Sequence, residues 1–151
     1  MPAMAESTRS SIVVNAPAGD VLDIIADLEA YPEWAKEIRQ VEILTEDGDG
    51  WPDTASFSLD AGPIQDTYTL DYTWDVAEDG QGVASWTLVE ATMLKAMDGS
   101  YTLSATADGG TEVVYELTVD LKVPMLGMLK RKAEKVIVDT ALRDLKKRAE
   151  A

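Results

Sequence analysis

IQDTYTLDYTWDV, residues 64–76, alternates between two chemically different faces with hardly a break. A period of two residues predicts a β-strand with one face buried. The buried face is aromatic with polar tips, because it carries two phenols and an indole N–H that need partners once buried. Such a face suits either a packed core or the wall of a pocket. Its members are Ile64, Tyr68, Leu70, Tyr72, Trp74 and Val76.

The chain on both sides of this strand has the same period. Turn signals fall at residues 47–50, 61–63, 78–82, 97–99 and 108–110, and six strands fit around them after Arg39. With a first strand over residues 8–15 they make a seven-stranded, mostly antiparallel sheet. Besides the strand at 64–76, the predicted inward residues are Val41, Ile43, Phe57, Leu59, Trp86, Leu88, Tyr101, Leu103, Val113, Tyr115, Leu117, Val119 and Leu121.

Two short helices are predicted between the first strand and the second. Pro17 suits a first helical turn, and apolar residues from Val21 to Leu28 follow at helical spacing. The pair Tyr31-Pro32 interrupts this helix, so we place a second short helix at 33–37, carrying Trp34.

One long helix is predicted over residues 125–149. Its apolar stripe must lie across the aromatic face of the sheet. The stripe comprises Leu126, Leu129, Ala133, Val136, Ile137, Thr140, Ala141 and Leu145.

Composition limits the chemistry. The 151 residues include no cysteine and no histidine, which excludes disulfides, thiolate or imidazole metal sites and serine-histidine triads. The net charge is -15, and the four basic residues before position 122 face 24 acidic ones, so we expect no nucleic-acid partner. We expect one domain over residues 1–151, with 1–7 flexible, and a cytoplasmic location, since no signal segment is evident.

The order of these elements resembles the START-like helix-grip superfamily, in particular its polyketide cyclase/dehydrase and lipid-transport branch. The likeness is carried by SIVVNAPAGDVLDIIADLEAYPEW (11–34), DTYTLDYTW (66–74) and DLKVPMLGMLKRKAEKVIVDTALRDLKKR (120–148). It implies an α+β fold in which a curved antiparallel sheet grips the last helix around an apolar cavity. Cyclases of this family place polar and cationic groups in that cavity, whereas the inward faces predicted here carry no arginine.

Between sheet and helix we predict a site for a hydrophobic or aromatic small molecule, such as a lipid, polyketide, quinone or sterol. Aromatic residues would bury the ligand and their hydroxyls would orient it. The alternative for each residue is a filled core. The predicted lining is Trp34, Phe57, Tyr68, Leu70, Tyr72, Trp74, Trp86, Tyr101, Tyr115, Leu129, Ala133, Val136, Ile137 and Ala141.

A polyketide aromatase/cyclase or dehydratase is the alternative function, which we rank below binding. Asp66 and Glu90 have the parity of the inward residues, and either could exchange protons together with Tyr68 or Tyr72. The competing interpretation is that both carboxylates lie near strand ends and reach solvent, which we favour because unpaired buried charges are costly.

No cofactor is implied. No metal is expected, because the aspartates at 47, 49 and 53 do not fit a calcium-loop pattern. The basic end of the last helix allows a weak contact with anionic membranes. The alternative is that these cations complement the helix dipole and the acidic body.

Overall fold

The computed structural model describes residues 7–61, 64–122 and 127–151, without the side chain of Ile64. Its seven strands form one antiparallel sheet in the order β1-β7-β6-β5-β4-β3-β2. The strands are β1 (Thr8–Val14), β2 (Ile38–Glu46), β3 (Pro52–Ala61), β4 (Ile64–Val76), β5 (Gly82–Ala91), β6 (Leu94–Ala105) and β7 (Thr111–Leu121). The predicted sheet is therefore confirmed.

One face of the sheet is buried because the strand sequences alternate. On β3 the side chains of Ala55, Phe57 and Leu59 are buried, and on β7 the same alternation runs from Thr111 to Val119. Register shifts between β2 and β3, between β4 and β5 and between β6 and β7 interrupt the ladders. Such bulges bend strands and increase their twist, which suits a sheet that wraps around a helix.

The segment between β1 and β2 holds α1 (Ala18–Ala26), a 3-10 turn (Leu28–Ala30) and α2 (Tyr31–Trp34). The second short helix exists, but its predicted bounds of 33–37 are wrong. The helix begins at Tyr31 and ends at Trp34. Pro32 lies in its first turn, where a missing N–H removes no helical hydrogen bond. Pro32 is therefore the second residue of this helix and does not precede it.

The last helix, α3 (Gly127–Glu150), has 24 residues and a length of about 36 Å at 1.5 Å per residue. The predicted stripe is partly wrong. Ala133, Ile137 and Leu145 are buried as predicted, but Leu129 and Val136 are exposed and Leu126 lies outside the described residues. The side chains that replace them inside are Glu134, Val138, Leu142 and Asp144.

Hydrogen bonds of Glu134 account for this rotation of α3. One carboxylate oxygen accepts the backbone N–H of Val119 at 2.7 Å, and the other accepts the Thr8 hydroxyl at 3.0 Å. Since β1 pairs with β7 only as far as Leu117, the N–H of Val119 has no strand partner on that side. Glu134 supplies the acceptor, and the helix turns that face toward β7.

The turn predicted at residues 97–99 is wrong. Strand β6 runs through these residues with Met97 buried, and the connection from β5 lies at residues 92–93. The carboxylate of Asp66 holds this connection by accepting the backbone N–H groups of Met93 at 2.8 Å and Leu94 at 2.9 Å. A glycine within a strand, Gly99, was misread as a turn signal.

Gly99 has a packing role in its strand. A Cβ atom at this position would lie 2.7 Å from the Trp86 ring and 2.8 Å from the carbonyl oxygen of Glu116. Glycine thus lets the indole of Trp86 lie across β6.

None of the helices in the described part of the chain has the length and apolar character of a membrane-spanning segment.

Candidate functional site

A cavity of about 70 Å³ lies between the sheet, α2 and α3. Its wall combines aromatic side chains of the sheet with short and polar side chains of α3 and of the segment after α2. The lining residues are Tyr31, Trp34, Ala35, Lys36, Glu37, Ile38, Phe57, Leu59, Tyr68, Leu70, Tyr72, Trp86, Met97, Tyr101, Tyr115, Ile137, Thr140, Ala141 and Asp144. Sites for drug-sized ligands measure roughly 300–1,000 Å³, so the aromatic side chains fill most of the space.

The aromatic wall is one continuous set of ring contacts. Phe57 stacks on Tyr68 with ring centroids 5.6 Å apart, and Tyr72 lies 5.6 Å from Trp86. The centroid distance from Trp86 to Tyr115 is 5.7 Å, in an edge-on arrangement. These distances fall within the favourable range for aromatic pairs, so the rings stabilise one another.

Four phenols of this wall lack hydrogen-bond partners. Tyr68, Tyr72, Tyr101 and Tyr115 are all buried, yet within residues 7–61, 64–122 and 127–151 none of their hydroxyls bonds to another residue. Tyr31 differs, because its hydroxyl donates to the backbone carbonyl of Ile25. Among the described residues, the fully buried side-chain polar atoms without a partner are the indole nitrogen of Trp34 and Oε2 of Glu37. The four phenol oxygens are not among them, so they border open space, where water or a ligand is able to bond to them.

Burial raises the pKa of each of these four tyrosines above its ordinary value of 10. The nearby Glu37 carboxylate adds to this effect at Tyr68 and Tyr115. The phenols therefore stay protonated near neutral pH, where they are able to donate and accept hydrogen bonds.

One end of the cavity is acidic. We call Glu37, Thr140 and Asp144 the acidic end of the cavity. The Oε2 atom of Glu37 is buried without a hydrogen-bond partner among the described residues, and the same is true of the indole N–H of Trp34. Asp144 is buried and accepts the backbone N–H of Lys36 at 3.4 Å.

The acidic end alters the protonation of Glu37. Burial raises the pKa of its carboxyl, the Thr140 side chain lowers the pKa through a hydrogen bond, and the charge of Asp144 raises it again. Arg143, on the exposed side of α3, lowers the pKa of Glu37 through its charge. Glu37 is thus a cavity carboxyl that holds its proton more tightly than a solvated glutamate.

A second groove, which we call the outer groove, lies between α3 and the end of β3 next to this end, and Glu37 lines both spaces. The exposed residues Leu129 and Val136 line the groove with Lys132, against Asp60 of β3. The groove therefore lies outside the aromatic wall.

A sequence model of the family described as polyketide cyclase / dehydrase and lipid transport matches residues 14–146. The chain belongs to this family. The match spans the strand-helix segment that starts the fold, the whole sheet and nearly all of α3.

Solved structures of this polyketide cyclase/dehydrase and lipid-transport type share the fold. The chain is similar to a START superfamily protein from Mycobacterium smegmatis, with 21% identity and a TM-score of 0.86 over 95% of this chain and 97% of that one. It is similar to the Zhui aromatase/cyclase from a Streptomyces species, with 18% identity and a TM-score of 0.78 over 96% and 93%. A STAR-related lipid transfer protein from Xanthomonas axonopodis shows 16% identity and a TM-score of 0.77 over 96% and 86%.

At these identities the likeness shows the fold, and the predicted helix-grip architecture is confirmed. Which ligand this family member takes has to be argued from its own cavity.

The structure brings most of the predicted lining together at one cavity. Those that line it are Trp34, Phe57, Tyr68, Leu70, Tyr72, Trp86, Tyr101, Tyr115, Ile137 and Ala141. Four others lie elsewhere. Leu129, Ala133 and Val136 line the outer groove, because α3 is rotated relative to the predicted stripe. Trp74 is half-buried at the end of β4, where its indole N–H donates to the carbonyl of Pro52 at 2.7 Å.

The carboxylates considered for proton transfer lie outside the cavity. Asp66 is bonded to the turn between β5 and β6, and Glu90 is exposed. The parity of Glu90 is changed by the register shift between Thr69 and Leu70, which places Glu90 opposite the outward Thr69. A general acid has to reach the substrate, so these two residues give the cyclase alternative no support. Tyr68 and Tyr72 do line the cavity.

Sequence reasoning missed Tyr31, Glu37 and Asp144 as cavity residues. Asp144 follows Ile137 by seven residues and Thr140 by four, which is the spacing of one helix face. That spacing could have identified it, but an aspartate was assumed to face solvent. For Glu37, three residues after Trp34, we find no comparable signal.

Two of the cations at the end of α3, Lys146 and Arg148, have protein partners. The ammonium group of Lys146 contacts Glu150 and the carbonyl of Val13, and Arg148 pairs with Glu33 at 3.1 Å.

Within the described part of the chain, no group of three or more potential metal ligands is assembled.

Proposed function

We propose that this chain binds a small hydrophobic molecule with an aromatic body in the cavity between the sheet and α3. The four unpaired phenols carry the proposal. Tyrosines that merely fill a core usually have their hydroxyls bonded to protein or water. Here the hydroxyls of Tyr68, Tyr72, Tyr101 and Tyr115 border a shared space, where polar atoms of a ligand would satisfy them.

The aromatic wall supports the same conclusion. Its rings lie in contact with one another and offer faces and edges to a planar guest, as in the pair Tyr101 and Tyr115, whose centroids are 4.5 Å apart. Burying a guest there gains about 25 cal/mol for each Å² of apolar surface. The membership in a family that includes lipid transport in its description agrees with a hydrophobic ligand.

The cavity has to widen to admit such a ligand, because its volume is about 70 Å³. We propose that the side chain of Trp34 moves aside. This residue ends a four-residue helix, and no residue that the structure describes accepts a hydrogen bond from its indole N–H. Its contact with Tyr31, at 5.0 Å between ring centroids, is apolar and would be replaced by contact with the ligand.

A space-filling substitution tests the location of the site. Ala141 lies on the α3 wall of the cavity, so Ala141→Leu adds a branched side chain where the ligand would lie. We expect this variant to weaken binding of 1-aminoanthracene, a dye that fluoresces more strongly in apolar surroundings, by about tenfold or more. Fluorescence titration gives the dissociation constants.

Val136→Phe is the matched control, because it enlarges an exposed side chain on the outer groove of the same helix. The control should bind the dye within about twofold of the unmodified protein. Equal losses in both variants, or no dye binding at all, would count against the proposed site.

A further inference from the structure

The cavity contains two carboxylates and no cation that pairs with them. Glu37 and Asp144 both line it, and neither forms an ion pair with a lysine or arginine in the part of the chain that the structure describes. Lys36 is also at the rim, but it reaches Asp144 through its backbone N–H. Asp144 is buried and Glu37 is half-buried, and the cation whose charge acts on Glu37 is Arg143 on the exposed side of α3. A buried carboxylate without an ion-pair partner is costly, so this arrangement favours a ligand that supplies positive charge.

Unpaired polar atoms in the same wall point independently to a ligand. The Trp34 side chain is 8% exposed and its N–H has no partner among the described residues. The phenol rings of Tyr68 and Tyr115 line the same cavity, and the charge of Glu37 raises the pKa of both hydroxyls. The acidic end and the unpaired aromatic groups therefore belong to one site.

Aromatic rings beside carboxylates form a site suited to organic cations. A ring face attracts a cation through its quadrupole, and a carboxylate adds a charge-assisted hydrogen bond to an ammonium group. The electrostatic field of the protein acts in the same direction, since residues 1–121 hold 24 acidic and four basic side chains. An anionic ligand, such as a fatty-acid carboxylate, would be repelled by the two cavity carboxylates and by the negative charge of residues 1–121.

We infer that the ligand is an aromatic amine cation, with its ammonium group at Glu37 and Asp144 and its ring among Tyr68, Tyr72 and Tyr115. This inference rests on the proposed binding function and names its ligand class. The N–H of Trp34 would then donate to a polar oxygen or to the ring face of the same molecule.

Three probes with the same ring test the inference at pH 8. They are 2-naphthylmethylamine, which is a cation, 2-naphthylmethanol, which is neutral, and 2-naphthoate, which is an anion. By isothermal titration calorimetry we expect the amine to bind at least about tenfold more tightly than the alcohol, and the alcohol more tightly than the naphthoate. Glu37→Gln should remove most of the advantage of the amine over the alcohol.

Glu42→Gln is the control for net charge, because Glu42 is an exposed carboxylate on β2. It should keep the preference for the amine. Asp144→Asn is expected to act like Glu37→Gln, but Asp144 is buried, so Glu37→Gln carries the test if that variant unfolds.

The possible results separate the two proposals. If the alcohol binds as tightly as the amine, or if Glu42→Gln reduces the preference as much as Glu37→Gln does, the inference of an amine ligand is wrong while hydrophobic binding stands. If neither these probes nor 1-aminoanthracene bind, the proposed function fails as well.

Discussion

Replacing Glu134 by alanine is expected to lower the free energy of unfolding by about 3–4 kcal/mol. The side chain is 1% exposed and connects α3 to two strands through Val119 and Thr8. Its removal leaves the buried Val119 N–H without an acceptor and removes the hydrogen bond that the Thr8 hydroxyl donates to the carboxylate. It also leaves a cavity in the core. Urea unfolding, followed by circular dichroism, measures the loss.

The matched control for this substitution lies one residue further along α3. Lys135→Ala breaks an ion pair with Asp139 whose atoms are 2.9 Å apart, closer than the 3.9 Å between Lys130 and Glu134. Because the Lys135 side chain is 68% exposed, its loss should cost less than about 1 kcal/mol. A similar small loss for Glu134→Ala would show that the carboxylate does not anchor the helix.

Alkaline titration should leave all five tyrosines of the chain protonated until the protein unfolds. Burial raises the pKa of Tyr31 as well as those of the four cavity phenols. The unfolded chain ionises its phenols near pH 10, and the folded chain holds these protons to higher pH. The stability from these groups is therefore present below pH 10 and is lost as the pH rises above it.

Absorbance at 295 nm follows tyrosinate, and far-ultraviolet circular dichroism follows the fold. We expect both signals to change together in one step, whereas in concentrated urea the phenols should ionise around pH 10. Tyr115→Phe should reduce the absorbance step by about one fifth without separating the two signals. Tyrosinate that forms near pH 10 while the circular dichroism is unchanged would show that a phenol reaches solvent.

The sheet could be predicted from the sequence because alternation is a local property. Tyr68, Leu70 and Tyr72 face inward as the pattern of β4 indicates, and their burial follows from the side-chain period of a strand. The parity fails at Glu90, after a register shift that inserts one residue. Bulges depend on contacts between strands, which one strand's sequence does not contain.

The face of α3 could not be predicted from hydrophobicity alone. Glu134 and Asp144 are buried because particular N–H groups of β7 and of the segment after α2 meet their carboxylates. Leu129 and Val136 are exposed on α3, at positions where a charged residue is more usual. The same assumption, that a carboxylate faces solvent, hid the acidic end of the cavity.

The position of a bound aromatic ligand tests the central claim most directly. Nuclear Overhauser effects between the ring protons of 1-aminoanthracene and those of the protein identify the side chains in contact with it. We predict effects to the rings of Tyr68, Tyr72 and Tyr115 on the cavity wall. Effects confined to Leu129 and Val136 on the outer groove would contradict a ligand site at the aromatic wall.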